Sequence, residues 1–158
     1  MLRSIPQFLR ETAERLPEKT AIVSRERSVA FSQLLHEAQA TAACLRDLGI
    51  QSGDRVGICM EKTIDQVVAI LGVLFANAVV VPILPRLKGP NIRHIIDNSG
   101  MIGMITDTER LQEVVEFSGI TKLISGHGQI NEDLPNLPYM RRFIQPADFF
   151  DRIGNDNA

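Results

Sequence analysis

Tryptophan is absent, tyrosine occurs once and aromatic residues make up only 5% of the sequence, so composition gives no sign of a stacked-ring ligand site. Cysteine is scarce as well. Cys44 and Cys59 stand fifteen positions apart with no CxxC pair, and the three histidines are not clustered. A disulfide framework and a zinc site are therefore both unsupported, and a reducing cytoplasm fits best. Neither sign of charge dominates, because 17 basic and 19 acidic side chains leave a net charge of −2. That balance argues against a nucleic-acid footprint and a polybasic membrane surface. The opening Met1-Leu2-Arg3-Ser4-Ile5-Pro6 lacks the apolar core of a secretory signal. Glycine-rich phosphate loops are missing too: the sequence holds neither GxGxxG nor GxxxxGK followed by Ser or Thr.

What the sequence does contain is enough apolar material for one core, with 44% hydrophobic residues in 158. Residues 67–84 read VVAILGVLFANAVVVPIL, eighteen positions whose only polar member is Asn77. That length meets the criterion for a membrane span, and on hydropathy alone a membrane-inserted reading stays open. Two features split the run. Asn77 can adopt a left-handed conformation that ends a helix, and Val79, Val80 and Val81 before Pro82 read as a buried strand. Strands of a parallel sheet covered on both faces are continuously apolar, so the same letters arise without lipid.

The remaining segments follow from periodicity and caps. Ser4 with Gln7 forms a capping-box pattern, and Ile5, Phe8, Leu9, Ala13 and Leu16 recur at helical spacing until Pro17. Residues 21–23 and 29–31 make a small hairpin over Ser24-Arg25-Glu26-Arg27. Ser32 is placed to cap a helix with Leu35, Ala38, Ala42, Leu45 and Leu48 inward and Gly49 as its stop. Ser52-Gly53-Asp54 turns into a buried strand over 55–60, followed by a helix over 63–76 and a strand over 79–84. Gly89-Pro90-Asn91 opens a helix with Ile92, Ile95 and Ile96 on one face, ended by Asn98-Ser99-Gly100. A strand over 101–106 follows. Asp107 or Thr108 then caps a helix carrying Leu111, Val114, Val115 and Phe117, stopped by Gly119, and 121–124 is a further strand. The alternation over 55–124 predicts an α/β fold, a three-layer Rossmann-like and mostly parallel sheet with helices on both faces. Residues 1–125 form the folded unit of this reading, and 126–158, with Pro135, Pro138 and Pro146, form an irregular segment.

No catalytic constellation emerges, and no catalytic, cofactor-binding or metal-binding residue is assigned. Glu61 and Lys62 follow a strand at the carboxyl edge of the sheet, where open α/β sheets bind ligands, although charged residues also solvate such turns. His94 with Asp97, and His36 next to Glu37, have surface-pair readings beside any general-base role. Leu87-Lys88-Gly89-Pro90 precedes a helix, and Gly126-His127-Gly128 is a lone GxG in a loop; both read first as plain turns. Met60, Met101, Met104 and Met140 read as core or gap-filling residues, and Cys44 and Cys59 as inert buried thiols.

Taken in order, three stretches resemble the amino-terminal part of the AMP-forming adenylating enzymes, which include acyl-CoA synthetases and ligases, luciferases and nonribosomal-peptide adenylation domains. PEKTAIVSRERSVAFSQLLHEA is similar to that family's opening, with Ala30-Phe31 in place of Thr-Tyr and Gln33-Leu34 in place of Glu-Leu. LRDLGIQSGDRVGICM and LGVLFANAVVVPILPRLKGPNIRHIIDNSGMIGMITD continue the likeness over about residues 1–125. Asn77 stands for the family glycine, Val80 for a tyrosine and Leu84 for an acidic residue, so no family role is carried to Val80 or Leu84. The resemblance implies an amino-terminal fragment of a cytoplasmic, ATP-dependent acyl-CoA ligase of fatty-acid-metabolism type. Such an enzyme turns a carboxylate and ATP into an acyl-adenylate and then a CoA thioester, using Mg, ATP and coenzyme A. The family's phosphate loop ending in Pro-Lys-Gly, its ribose-binding aspartate and its carboxy-terminal lysine domain all come after the matched region. The fragment alone is therefore expected to be inactive and to need no cofactor. Its expected partners are the remainder of the parent polypeptide and, in the full enzyme, a carboxylic acid; homo-oligomers through an uncovered sheet surface are a further expectation. The alternative is a stand-alone, non-catalytic α/β module that binds a protein or small ligand.

Overall fold

The computed structural model describes residues 4–106 and 122–125. Helix α1 (Ile5–Arg15) begins at a reciprocal capping box. The Gln7 backbone N–H donates to Ser4 Oγ (3.4 Å) and the Ser4 N–H donates to Gln7 Oε1 (2.9 Å), so two end groups are satisfied at once. Leu9 and Ala13 are buried, whereas Ile5 and Phe8 of the predicted inward stripe are 58% and 53% exposed. The apolar face of α1 is wider than the groove that receives it.

Strands β1 (Thr20–Val23) and β2 (Ser28–Ala30) pair antiparallel, with a register shift between Thr20 and Ile22. Ser24 closes the turn by accepting the Arg27 N–H at its Oγ (3.1 Å). Helix α2 (Phe31–Asp47) starts one residue before the predicted cap. Ser32 does not cap it, because the first free N–H groups are already taken: Phe31 donates to the Lys19 carbonyl and Ser32 to the Pro17 carbonyl, both at 3.0 Å. Its buried face carries Leu34, Ala38, Ala42 and Leu45 and also Glu37 and Thr41, while Leu35 and Leu48 are only partly buried.

The main sheet contains β3 (Arg55–Cys59), β4 (Val79–Pro82), β5 (Gly103–Thr106) and β6 (Lys122–Ser125) in the order β4-β3-β5-β6, with every pairing parallel. Between them run α3 (Ile64–Phe75) and α4 (Gly89–Ser99). Thr63 caps α3 by accepting the Gln66 N–H (3.3 Å), and the chain leaves the helix through Asn77 at φ 59°. The long apolar run thus breaks at Asn77 into a helix and a strand, and no helix among the described residues is long and apolar enough to cross a membrane. α4 stops at Gly100, φ 63°, as its sequence requires.

The period-two alternation of strands sorts the interior into two layers. Val56, Ile58 and Ile105 pack with α2, α3 and the hairpin, while Cys59, Met104 and Met101 pack with Ile92 and Ile96 of α4. Helices accordingly cover both faces. β3 is buried at every position after Arg55, as predicted. β4 is not: it forms the sheet edge among the described residues, and none of Val79, Val80, Val81 and Pro82 is fully buried, because only one side of it meets another strand. Met60, Met101 and Met104 are core residues. Cys59 is buried and Cys44 only half-buried, neither in a disulfide, which corrects the expectation of two buried thiols. The predicted helix at 107–119 and the segment 126–158, with Met140, lie outside the described residues.

Candidate functional site at the carboxyl edge

Open α/β sheets take ligands where two neighbouring strands send their connections in opposite directions. Here that point lies between β3, which leads to β4, and β5, which leads to β6 on the other side. The residues leaving β3 at this place are Met60, Glu61 and Lys62, and the last residue of β5 is Thr106.

Two side chains donate to the strand-end carbonyls here. The Thr106 hydroxyl, fully buried, donates to the Cys59 carbonyl (2.9 Å), and the Gln66 amide donates to the Met60 carbonyl (3.0 Å). Both strand-end acceptors are therefore occupied, and no buried side-chain polar atom among the described residues lacks a partner. Glu61 and Lys62 are exposed and solvate the turn.

Beside this edge, a cleft of about 400 Å³ separates the hairpin turn, residues 23–27, from residues 62–65 at the start of α3. Arg27 dominates its wall. The guanidinium makes a two-pronged contact with Glu37 of α2 (3.0 and 3.1 Å) and reaches Asp65 of α3 at 2.8 Å. Gln33 adds a fourth bond by donating to Glu37 Oε1 (3.0 Å). Glu37 is only 5% exposed, so its charge depends on these donors. The hydrogen bond from Arg27 to Glu37 is the largest influence raising the guanidinium pKa above its ordinary value; partial burial opposes it and Asp65 reinforces it. One cation facing two carboxylates leaves this clamp with a net negative charge, so Arg27 itself has no positive charge to spare for a phosphate.

Sequence reasoning missed this clamp, although it carried one usable signal. Glu37 falls on the same helical stripe as Leu34, Ala38, Thr41 and Leu45, and a carboxylate on a buried stripe requires a buried partner. His36, considered with Glu37, is exposed while Glu37 is buried, so the two do not share a site. His94 and Asp97 lie exposed on α4. Lys88 is the N-cap residue of α4 and makes no side-chain cap bond. Gly126-His127-Gly128 lies outside the described residues. Among the described residues, no three His, Cys, Asp or Glu side chains gather as metal ligands.

Residues 9–139 match the family model for AMP-binding enzymes, and the chain belongs to that family. It is 37% identical over 119 residues to tyrocidine synthase 1 of Brevibacillus parabrevis, covering 74% of this chain and 11% of that protein. To the 3-oxocholest-4-en-26-oate–CoA ligase of Rhodococcus rhodochrous it is 29% identical over 124 residues, covering 78% of this chain and 22% of the ligase. In structure it resembles the N-terminal domain of FACL13 from Mycobacterium tuberculosis, with a TM-score of 0.73, 26% identity, and coverage of 78% of this chain and 34% of the other. The chain thus spans less than a quarter of the two curated relatives and about a third of the solved domain.

Proposed function

We propose that this chain is the amino-terminal portion of an ATP-dependent acid–thiol ligase. In the proposed reaction a carboxylate oxygen attacks the α-phosphorus of ATP, pyrophosphate leaves, and the thiol of coenzyme A displaces AMP from the acyl-adenylate. The observation that carries this reading is the family match over 9–139, and the relationship to a CoA ligase supports coenzyme A as acceptor. On this reading the chain supplies a half-sheet and part of the acyl-pocket wall. ATP, Mg and coenzyme A bind largely to the remainder of the parent polypeptide.

Alone, the chain does not adenylate. Phosphoryl transfer rests on positioned cations and preorganised backbone donors. The 158 residues contain no glycine-rich loop ending in Pro-Lys-Gly, and of the cations lining the cleft, Arg27 is committed to Glu37 and Asp65. A second reading, adenylation within a peptide synthase, draws on the higher identity to tyrocidine synthase 1. The test is ATP–pyrophosphate exchange with a panel of carboxylic and amino acids. The 158-residue polypeptide should give none, and the product of its full reading frame should exchange with a carboxylic acid and then consume coenzyme A. Exchange restricted to amino acids, without coenzyme A consumption, favours the synthase reading. Exchange by the 158-residue chain itself contradicts the proposal.

A further inference from the structure

β4 is the free edge of the sheet among the described residues, and the unpaired N–H and C=O groups of an edge strand invite pairing with another chain. Its backbone alternates in direction. Val79 donates to the Asp54 carbonyl (2.8 Å) and Ile83 to the Ile58 carbonyl (2.9 Å), so 79, 81 and 83 face β3 while 80 and 82 face away. The outward position 82 is proline, which has no N–H, and it is exposed.

We infer that Pro82 is an edge guard: it removes an outward donor from β4 and so prevents a second copy of this chain from extending the sheet there. The geometry gives the size of the effect. Two β4 strands meeting antiparallel about Val81 would pair 80 with 82 of the partner copy, and 82 with 80, each pair exchanging two N–H···O bonds, four in all. With proline at 82 in both copies, two of the four cannot form. Each proline ring also stands against the carbonyl that would have accepted the bond. The inward ladder to β3 loses nothing, which is why a proline is tolerated as the last residue of this four-residue strand.

Sedimentation velocity on the 158-residue chain tests this with Pro82→Thr and Pro82→Val. Restoring two bonds should strengthen self-association about tenfold or more. Hydrogen exchange at the amides of residues 80 and 82 should slow as protein concentration rises. The double variant Val80→Pro/Pro82→Thr moves the block to the other outward position and should return association to the wild-type level. Folded Pro82 variants that associate no more strongly than wild type would overturn the inference, as would association that persists in the double variant. Failure of both single variants to fold, seen by circular dichroism, also contradicts it, because the role of Pro82 would then lie within the sheet.

Discussion

Asn77 holds a backbone conformation that most side chains avoid, φ 59°, and its side-chain amide donates to the Ser52 hydroxyl. Left-handed backbone costs an ordinary L-residue about 1–2 kcal/mol, less for asparagine and least for glycine. Asn77→Ala should therefore lower stability by about 1 kcal/mol, and Asn77→Gly should stay within about 0.5 kcal/mol of wild type, as read from urea denaturation. Arg27 answers to a different force. Arg27→Met strands a nearly buried carboxylate and should cost about 2 kcal/mol, whereas Arg27→Met/Glu37→Leu, with both charges gone, should recover part of that loss. The sign of any pH effect follows from the raised guanidinium pKa. A cation with a raised pKa contributes fully below its ordinary value and loses that contribution only above it, so the titration of Arg27 adds no slope between about pH 6 and 9. Local signals such as Ser4 with Gln7, Asn77 and Gly100 were legible because each acts within a few residues of itself. The Arg27 clamp was not, since its partners lie 10 and 38 positions away and only the fold brings them together.

Between elements, α2 packs tightly on α3 at Gly72 and Thr41. A Cβ added to Gly72 would stand 2.4 Å from Thr41 Cγ2 and 2.5 Å from Thr41 Cβ, with the Ala38 carbonyl at 3.4 Å. Replacing a helical glycine by alanine ordinarily stabilises by about 1 kcal/mol, but here the clash dominates, and overpacking costs about 1–3 kcal/mol. Gly72→Ala should thus lower the thermal midpoint, and Thr41→Gly in the same chain should restore part of the loss, because it removes the opposing Cβ. An additive double variant would show that the two positions do not meet in solution. Element order and type, from the capping box of α1 to the parallel strands β3, β4, β5 and β6, follow from the sequence pattern because caps and periods are local. Two things were misplaced. The start of α2 is satisfied by backbone carbonyls from residues 17 and 19, and β4 sits at an edge; both depend on neighbours that periodicity does not reveal.

For the whole molecule, topology places a switch point between β3 and β5, where Thr106 and Gln66 donate to the strand-end carbonyls of Cys59 and Met60. Location was legible, since Glu61 and Lys62 mark the carboxyl edge in the sequence, but the hydrogen bonding of that edge was not, because it depends on a hydroxyl 47 residues from the carbonyl it meets. On the proposed function, this member of the AMP-binding family is a scaffold portion without a nucleotide site of its own. Isothermal titration of the folded 158-residue chain with Mg-ATP tests it most directly. No saturable heat is predicted at millimolar nucleotide, and one-to-one binding at micromolar concentration would contradict the account.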